Sequence, residues 1–151
     1  MKINKEGLKI IKKYEGCILH TYKCPSGIAT IGYGHTGKVN GKKLDLNCPI
    51  TITMKKAESL LKSDLKYFEE IVNKYNKLYK YNFNINEFSA LVSFTYNCGE
   101  GNLKLLLQYG NRSKEFIEKA IVLYNKSNGK TLNGLVARRN EEQRLFGKKV
   151  E

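Results

Sequence analysis

The chain has 151 residues, 41% hydrophobic and 27% charged, and its apolar runs are far too short to span a bilayer, so no stable membrane insertion is expected. This length suits one domain, or two lobes sharing a core, that needs neither a metal nor a disulfide to fold. The net charge of +13 predicts attraction to a polyanion, such as nucleic acid or an anionic bacterial envelope. Because the charge is spread along the chain, a solvated basic surface is favoured over a dedicated nucleic-acid face.

The first predicted helix ends in a glutamate. Asn4 can serve as its N-cap, and Leu8, Ile11 and Glu15 fall at i, i+3 and i+7 on one face. Gly16 is the expected C-cap. Partial burial and the negative end of the helix dipole both favour the protonated form of Glu15, which suits a general acid. The alternative is a glutamate frayed in water at a helix end.

A β-hairpin is predicted next, with its turn at residues 25–27 and its second strand over residues 28–35. The period of 2 puts Thr30, Gly32 and Gly34 on one face of that strand. Their missing or short side chains would let a ligand approach the backbone closely. Glycines in a strand can equally mark a bulge or bend that serves no ligand.

A second hairpin and a long helix follow. The Asn40-Gly41 pair predicts a tight turn, which implies a small antiparallel sheet of about three strands. Thr53 is the expected cap of an amphipathic helix that runs to about Tyr75. The segment from Lys74 to about residue 86 is polar and tyrosine-rich, and we interpret it as a connection between helices.

The rest of the chain is predicted to be helical. Asn84 and Glu87 form a capping box before a mostly buried helix that ends at Gly99. Further predictions are helices over 102–109 and over 114–124 capped by Ser113, a loop over 125–134, and a last helix that contains Arg138 and Arg139.

The four cysteines indicate reduced thiols rather than a metal site. They show no C-x2-C pair, and the chain has only two histidines, so neither a structural zinc nor any other cofactor is expected. Cys17 and Cys98 are interpreted as small, buried apolar residues. Cys24 alone has a functional argument, although an unperturbed thiol of pKa about 8.5 is only a few per cent thiolate at pH 7.

The spacing E-x8-C-x5-T, from Glu15 through Cys24 to Thr30, is followed by IGYGHT. This pattern resembles the phage-type lysozymes, endolysins that cut the glycan strands of bacterial peptidoglycan and whose usual motif is E-x8-D-x5-T. The segments ITMKKAESLLKSDL, FSALVSFTYNCG and GLVARRNEEQRLF extend the resemblance over nearly the whole chain. The chain departs from the usual motif at Cys24, where many relatives have aspartate.

The resemblance implies an α+β, lysozyme-like fold in a single catalytic domain. A small antiparallel sheet lobe at about 17–52 would be joined to a larger helical lobe, residues 1–16 and 76–151, by a linking helix at about 53–75. The substrate would lie in a cleft between the lobes.

The resemblance also implies roles for individual residues. Glu15 would be the general acid and Thr30 the hydroxyl that holds the attacking water, while Cys24 would be a weak base, a thiolate that stabilises the transition state, or only a positioning group. The implied substrate contacts are Gly32, Gly34, Thr36, Tyr96 and Asn97. The implied supporting residues are His35 paired with Asp64, and either Arg138 or Arg139 near Glu15. The alternatives are a core position for Tyr96, a surface position for Asp64 and solvated helix charges for the two arginines.

By resemblance, the expected activity is hydrolysis of the β-1,4 bonds between N-acetylmuramic acid and N-acetylglucosamine by a monomer. The N-terminal segment lacks the apolar core of a secretory signal, so the enzyme is expected to stay in the host cytoplasm until a separate membrane-permeabilising protein releases it. A basic nucleic-acid-binding module is the main alternative, suggested by the charge and ten tyrosines but without a binding signature. A cationic membrane-disrupting protein is less favoured, because no segment is cleanly basic and amphipathic.

Overall fold

The computed structural model describes all 151 residues and contains five α-helices and seven short strands. In chain order these are α1 (Lys5–Glu15), β1 (Ile18–Lys23), β2 (Ala29–Gly32), β3 (His35–Thr36), β4 (Lys38–Val39), β5 (Lys42–Lys43), α2 (Met54–Leu78), α3 (Ile85–Leu106), α4 (Lys114–Ile121), β6 (Lys126–Ser127), β7 (Lys130–Thr131) and α5 (Asn133–Gly147). The predicted α+β class is confirmed. None of the helices combines the length and the apolar character that a membrane span requires.

The chain divides into two compact units. Residues 15–65 form the first, which we call the sheet unit, and residues 1–14 together with 66–151 form the second, the helical unit. Helices α1 and α2 each contribute residues to both units.

The predicted hairpin is present in the sheet unit, but its second strand is shorter than expected. β1, β2 and β3 form an antiparallel sheet in which Tyr22 lies opposite Thr30. The chain reverses after β2 because Gly32 and Gly34 adopt left-handed φ values of 67° and 79°, which glycine reaches without strain. The prediction of one continuous strand over 28–35, with Thr30 and the two glycines on one face, is therefore wrong.

The second hairpin forms as predicted but makes its own sheet. Asn40 and Gly41 have φ values of 52° and 81°, as a two-residue hairpin turn requires, and they join β4 to β5. These strands pair only with each other, so they do not extend the three-stranded sheet. A small core holds the sheet unit together, made of Ile31, Val39, Leu44 and Leu60.

Helix α2 begins as predicted and ends later. The Thr53 hydroxyl accepts a hydrogen bond from the Lys56 N–H at 3.0 Å, which confirms the cap. The helix continues to Leu78 because Tyr75, interpreted as its end, is buried and donates from its hydroxyl to Glu100 at 2.5 Å. The segment predicted to be a connection from Lys74 is therefore helical as far as Leu78.

In the helical unit, α3 contributes more buried apolar residues than any other helix. Its capping box of Asn84 and Glu87 is confirmed, and the helix is broken at Gly99, where φ is 86° and ψ is 166°. After this kink it continues to Leu106 and a short 3₁₀ turn follows, so the predicted helix over 102–109 begins and ends too late. α3 packs against α5, and its buried apolar side chains are Phe88, Ala90, Leu91, Val92, Phe94, Leu103 and Leu106.

Two further predictions are corrected in the last third of the chain. Ser113 caps α4 as expected, but the helix ends at Ile121 rather than at residue 124. The segment interpreted as a loop contains the β6/β7 hairpin, with Asn128 and Gly129 at φ values of 51° and 77°. Asn-Gly between short strands is the same signal that correctly located the β4/β5 turn.

Arg138 and Arg139 are buried in α5, so the interpretation as solvated helix charges is wrong. Their exposures are 2% and 0%, and both form ion pairs with the fully buried Glu142, at 3.2 and 2.7 Å. The Ser93 hydroxyl of α3 donates to the same carboxylate at 2.5 Å. The cluster joins α3 to α5 through a negative charge held between two positive ones.

Glu142→Gln is expected to destabilise the protein by about 3 kcal/mol, because it leaves two buried guanidiniums without their anion. Chemical denaturation of the variant measures this loss. Glu70→Gln is the matched control, since Glu70 is exposed and its replacement should change stability by less than about 0.5 kcal/mol. Equal stability of the two variants would contradict the account of the cluster.

Candidate active site

The three residues predicted to be catalytic all lie in the sheet unit. Glu15 is the last residue of α1 and is half-buried, and Gly16 follows with a left-handed φ of 68°, which confirms the predicted C-cap. At the other end of α1, the Asn4 side chain accepts from the Gly7 N–H at 2.9 Å, so the predicted N-cap is confirmed too. The cap at Gly16 ends the helix just before β1.

Cys24 lies in the tight turn between β1 and β2. Its carbonyl accepts from the Gly27 N–H at 2.8 Å, and its own N–H donates to the Ile28 carbonyl at 3.0 Å. Pro25 follows it, with a φ that is restricted by its ring. The turn brings the Ser26 Oγ to within 2.9 Å of the Cys24 Sγ.

This environment favours the thiolate. Hydrogen bonding from Ser26 lowers the pKa of Cys24 from the usual 9.0 to about 7, and the Ile28 backbone acts in the same direction. About half of the molecules would carry a thiolate at pH 7, well above the few per cent of an unperturbed cysteine. The thiol can therefore act as an anion near neutral pH.

Thr30 lies in β2 beside this turn and is only 3% exposed. Its hydroxyl donates to the Ile28 carbonyl at 2.9 Å and lies beside the Cys24 thiol. The oxygen lone pairs remain able to accept a hydrogen bond. The geometry thus places the hydroxyl next to the thiol, with little access to bulk water.

Tyr22 links the acid to the thiol and is absent from the residues predicted from sequence. Burial raises the pKa of the Tyr22 phenol, and the negative charges of Cys24 and Glu15 raise it further. Tyr22 is therefore within electrostatic reach of both Cys24 and Glu15. Tyr22 could have been identified because it lies opposite Thr30 in the antiparallel pair of β1 and β2. That register can be assigned only after the position of the hairpin turn is known.

The glycine-rich segment after β2 serves packing as well as turning. A Cβ on the buried Gly32 would lie 3.4 Å from the Cβ of Ala57, so its missing side chain lets the strand approach α2 closely. Gly34 is in the turn, and Thr36 is exposed on β3 opposite Thr30. Substrate contacts by Gly32, Gly34 and Thr36 stay predictions.

The predicted pair of His35 and Asp64 is confirmed. The His35 Nδ1 is 2.8 Å from the Asp64 carboxylate, and its Nε2 is 2.8 Å from the Lys38 carbonyl. The Asp64 side chain is 29% exposed, and its carboxylate also contacts the histidine ring. The pair ties β3 to α2 within the sheet unit.

Asp64→Asn is expected to destabilise the protein by about 1–2 kcal/mol, because a charged partner of a buried ring nitrogen is lost. In a His35→Gln background the same substitution should cost about 1 kcal/mol less, since the contact is already absent. Chemical denaturation of the two single variants and the double variant measures this coupling. Strictly additive losses would show that the pair contributes no net stabilisation.

Other predicted contacts lie in the helical unit. Tyr96 is half-buried, with its ring edge-on to Phe68 at 5.1 Å, and the exposed Asn97 accepts from the Arg139 guanidinium at 2.7 Å. Asn97 lines a cavity of about 530 Å³ together with Cys98 and Tyr124. Substrate contacts by Tyr96 and Asn97, and a role for Arg138 or Arg139 beside Glu15, stay predictions.

Cys17 and Cys98 are not placed for nucleophilic chemistry. Burial raises the pKa of Cys98, whose sulfur accepts from Arg139, and the Cys17 sulfur contacts that of Met54 at 3.8 Å. Both are half-buried rather than fully buried. None of the four cysteines forms a disulfide, and no three His, Cys, Asp or Glu side chains converge as a metal site would require.

Comparison with known proteins agrees with this geometry. The family model "Phage lysozyme" matches residues 12–142. The endolysin of Bacillus phage B103 is 41% identical over 97% of this chain, which spans only 54% of that relative's length. The endolysin of Salmonella phage P22 is 34% identical, with 97% of this chain and 98% of the relative covered.

A solved structure shows the same fold. The muramidase domain of SpmX from Asticaccaulis excentricus is 28% identical and superposes with a TM-score of 0.81, covering 98% of this chain and 99% of that one. The expected lysozyme-like fold is thereby confirmed. With its acid, thiol and hydroxyl at E-x8-C-x5-T spacing and a family match over most of its length, the chain belongs to the phage lysozyme family.

Proposed function

We propose that this chain is an endolysin catalytic domain that hydrolyses the β-1,4 bonds between N-acetylmuramic acid and N-acetylglucosamine in bacterial peptidoglycan. The observation that carries the proposal is the grouping of Glu15, an ionisable Cys24 and Thr30 in the sheet unit. The relatives named above as endolysins, and the muramidase domain with the same fold, support this choice of substrate.

Glu15 supplies the acid. Cleavage of a glycosidic bond requires a proton on the leaving oxygen, and a carboxylic acid at a helix end in a half-buried position can deliver it. The electrostatic effect of Glu15 on Tyr22, two residues before Cys24 in the chain, supports this role.

Cys24 supplies the second group, and it acts as a thiolate. The reaction needs a base for water, or an anion that stabilises the oxocarbenium-like transition state, on the opposite face of the sugar. Both roles require an ionised sulfur, and a pKa of about 7 makes that form available at neutral pH. Thr30 can orient a water through its oxygen lone pairs, but a hydroxyl is too weak a base to deprotonate it.

The remaining partners follow from the family. Tyr96 and Asn97 contact the sugar rings, Thr36 and the glycines of the turn contact the glycan backbone, and one of Arg138 and Arg139 balances charge near Glu15. The protein acts as a monomer, without a cofactor and without nucleic acid. It stays in the host cytoplasm until a separate membrane-permeabilising protein gives it access to the wall.

Loss of turbidity in a suspension of purified cell walls tests the proposal. The wild type should clear the suspension, should leave vesicles of anionic phospholipid intact, and should not need nucleic acid for activity. If the protein causes leakage of the vesicles, or retards DNA in a gel, but does not clear the wall suspension, one of the non-enzymatic alternatives would be favoured.

A further inference from the structure

The turn that carries Cys24 contains a second side chain that the proposed reaction has not used. Ser26 is exposed, lies two residues after Cys24, and has its hydroxyl oxygen 2.9 Å from the cysteine sulfur. A serine at the surface of a turn usually hydrogen-bonds to the backbone or to water. Here it contacts the one thiol of the candidate active site.

We propose that Ser26 is a positioning residue that holds Cys24 in the ionised form by donating a hydrogen bond to its thiolate. The inference rests on the proposed function for its consequence in catalysis, but the hydrogen bond itself can be tested without substrate.

The backbone of the turn fixes this contact. Pro25 restricts the conformation between Cys24 and Ser26, and the hydrogen bonds from Gly27 to Cys24 and from Cys24 to Ile28, at 2.8 and 3.0 Å, close the loop on both sides. Because the turn is closed, the hydroxyl is held near the sulfur before any substrate arrives. A preformed donor can stabilise an anion without reorganisation.

The donors around the sulfur all act in one direction. Ser26 and the Ile28 backbone each favour the thiolate over the thiol, whereas the Thr30 hydroxyl donates its one hydrogen to the Ile28 carbonyl. A hydrogen bond to an ionised acceptor is roughly twice as strong as one between neutral groups, so each donor binds the thiolate better than the thiol. The sequence C-P-S-G-I thus builds a small anion-stabilising turn.

The charged groups nearby do not explain the effect by themselves. Tyr22 is within electrostatic reach of the thiol, and a negative charge on its phenol would oppose ionisation of the thiol. The Lys23 side chain passes beside Gly27 of the same turn, 3.7 Å from where a Cβ would be, and its positive charge would favour the thiolate. A test must therefore separate the hydroxyl of Ser26 from the charge of Lys23.

The test is the pH dependence of alkylation at Cys24, followed by mass spectrometry of the peptide that contains it. Iodoacetamide reacts with the thiolate, so the midpoint of the rate reports the thiol pKa. The exposed Cys48 of the same molecule is the internal reference. The wild-type midpoint at Cys24 should lie near 7.

Ser26→Ala should raise the midpoint by about one pH unit, which lowers the thiolate fraction at pH 7 about five-fold. Ser26→Thr keeps the hydroxyl and should restore the wild-type midpoint, whereas Lys23→Gln should move it less than Ser26→Ala does. An unchanged midpoint in Ser26→Ala, or a larger shift in Lys23→Gln, would overturn the inference.

Wall lysis then separates this inference from the proposed function. In Ser26→Ala the rising limb of the pH–rate profile should move up by the same one unit, and Ser26→Thr should reverse the change. In a Cys24→Asp background Ser26→Ala should no longer move the profile through this range, because no thiol titrates there. If the alkylation midpoint shifts while the lysis profile does not, the hydrogen bond of Ser26 stands and the catalytic role of Cys24 fails.

Discussion

Glu15→Gln is expected to reduce wall lysis at least about 100-fold while leaving the fold intact. An amide has nearly the shape of the carboxyl group but cannot donate the proton that the leaving oxygen needs, and general acid catalysis contributes about 10²–10⁴-fold. The initial rate of turbidity loss measures the effect, and circular dichroism checks the fold.

Glu70→Gln is the matched control for this variant. Glu70 is exposed on α2 and is not among the residues proposed to take part in catalysis or substrate binding. The control variant should lyse walls at the wild-type rate. Retention of more than a few per cent of activity in Glu15→Gln would remove Glu15 from the role of acid.

Cys24→Ala is expected to lower wall lysis about 100-fold, while Cys24→Asp should keep or raise it. Alanine removes the anion that the second half of the reaction needs. Aspartate, with an ordinary pKa of about 3.9, is almost fully ionised at pH 7. Since about half of the Cys24 population would already be thiolate at that pH, the gain in Cys24→Asp should be modest.

The pH dependence follows from the direction of the shift. In the proposed mechanism the thiolate is the active form and its pKa is about 7, so the wild-type rate relative to that of Cys24→Asp should rise as the pH increases through 7. In Cys24→Asp the rising limb should move to lower pH, since the carboxylate forms there. Rates from pH 5 to 9 on the same walls measure both profiles.

Alkylation gives an independent check on Cys24. Iodoacetamide should inactivate the wild type and spare Cys24→Asp, even though the exposed Cys48 is modified in both. Full activity in Cys24→Ala with an unchanged pH profile would show that the thiol is a spectator and that Glu15 and Thr30 carry the reaction.

Local sequence signals correctly predicted where the first four helices begin. The caps at Asn4, Thr53, Asn84 and Ser113 are confirmed because each depends on a hydrogen bond within one helical turn. The extension of α2 past Tyr75 could not be read in this way. It depends on a contact with Glu100, 25 residues along the chain.

The glycines show where pattern reasoning fails. Alternation along residues 28–35 indicated one strand, but left-handed conformations at Gly32 and Gly34 turned the chain after four residues of β2. Glycine is compatible with both outcomes, so its presence alone does not distinguish a strand from a turn.

The candidate site was predicted in its spacing but not in its electrostatics. The E-x8-C-x5-T pattern identified Glu15, Cys24 and Thr30. The lowered pKa of the thiol depends on the closed turn that brings Ser26 to the sulfur, and that geometry is not visible in residue order. The burial of Arg138 and Arg139 was also not predicted. Their shared partner Glu142 is itself bonded to Ser93 of another helix, and such a contact between helices cannot be inferred from residue order.

Identification of the bond that is cut tests the central claim most directly. Purified peptidoglycan is digested with the wild type and with Glu15→Gln, new reducing ends are converted with borohydride, and the fragments are analysed by mass spectrometry. The account predicts fragments that end in reduced N-acetylmuramic acid for the wild type, and none above background for Glu15→Gln. Reduced N-acetylglucosamine ends, cleaved peptide stems with intact glycan strands, or equal fragmentation by Glu15→Gln would contradict it.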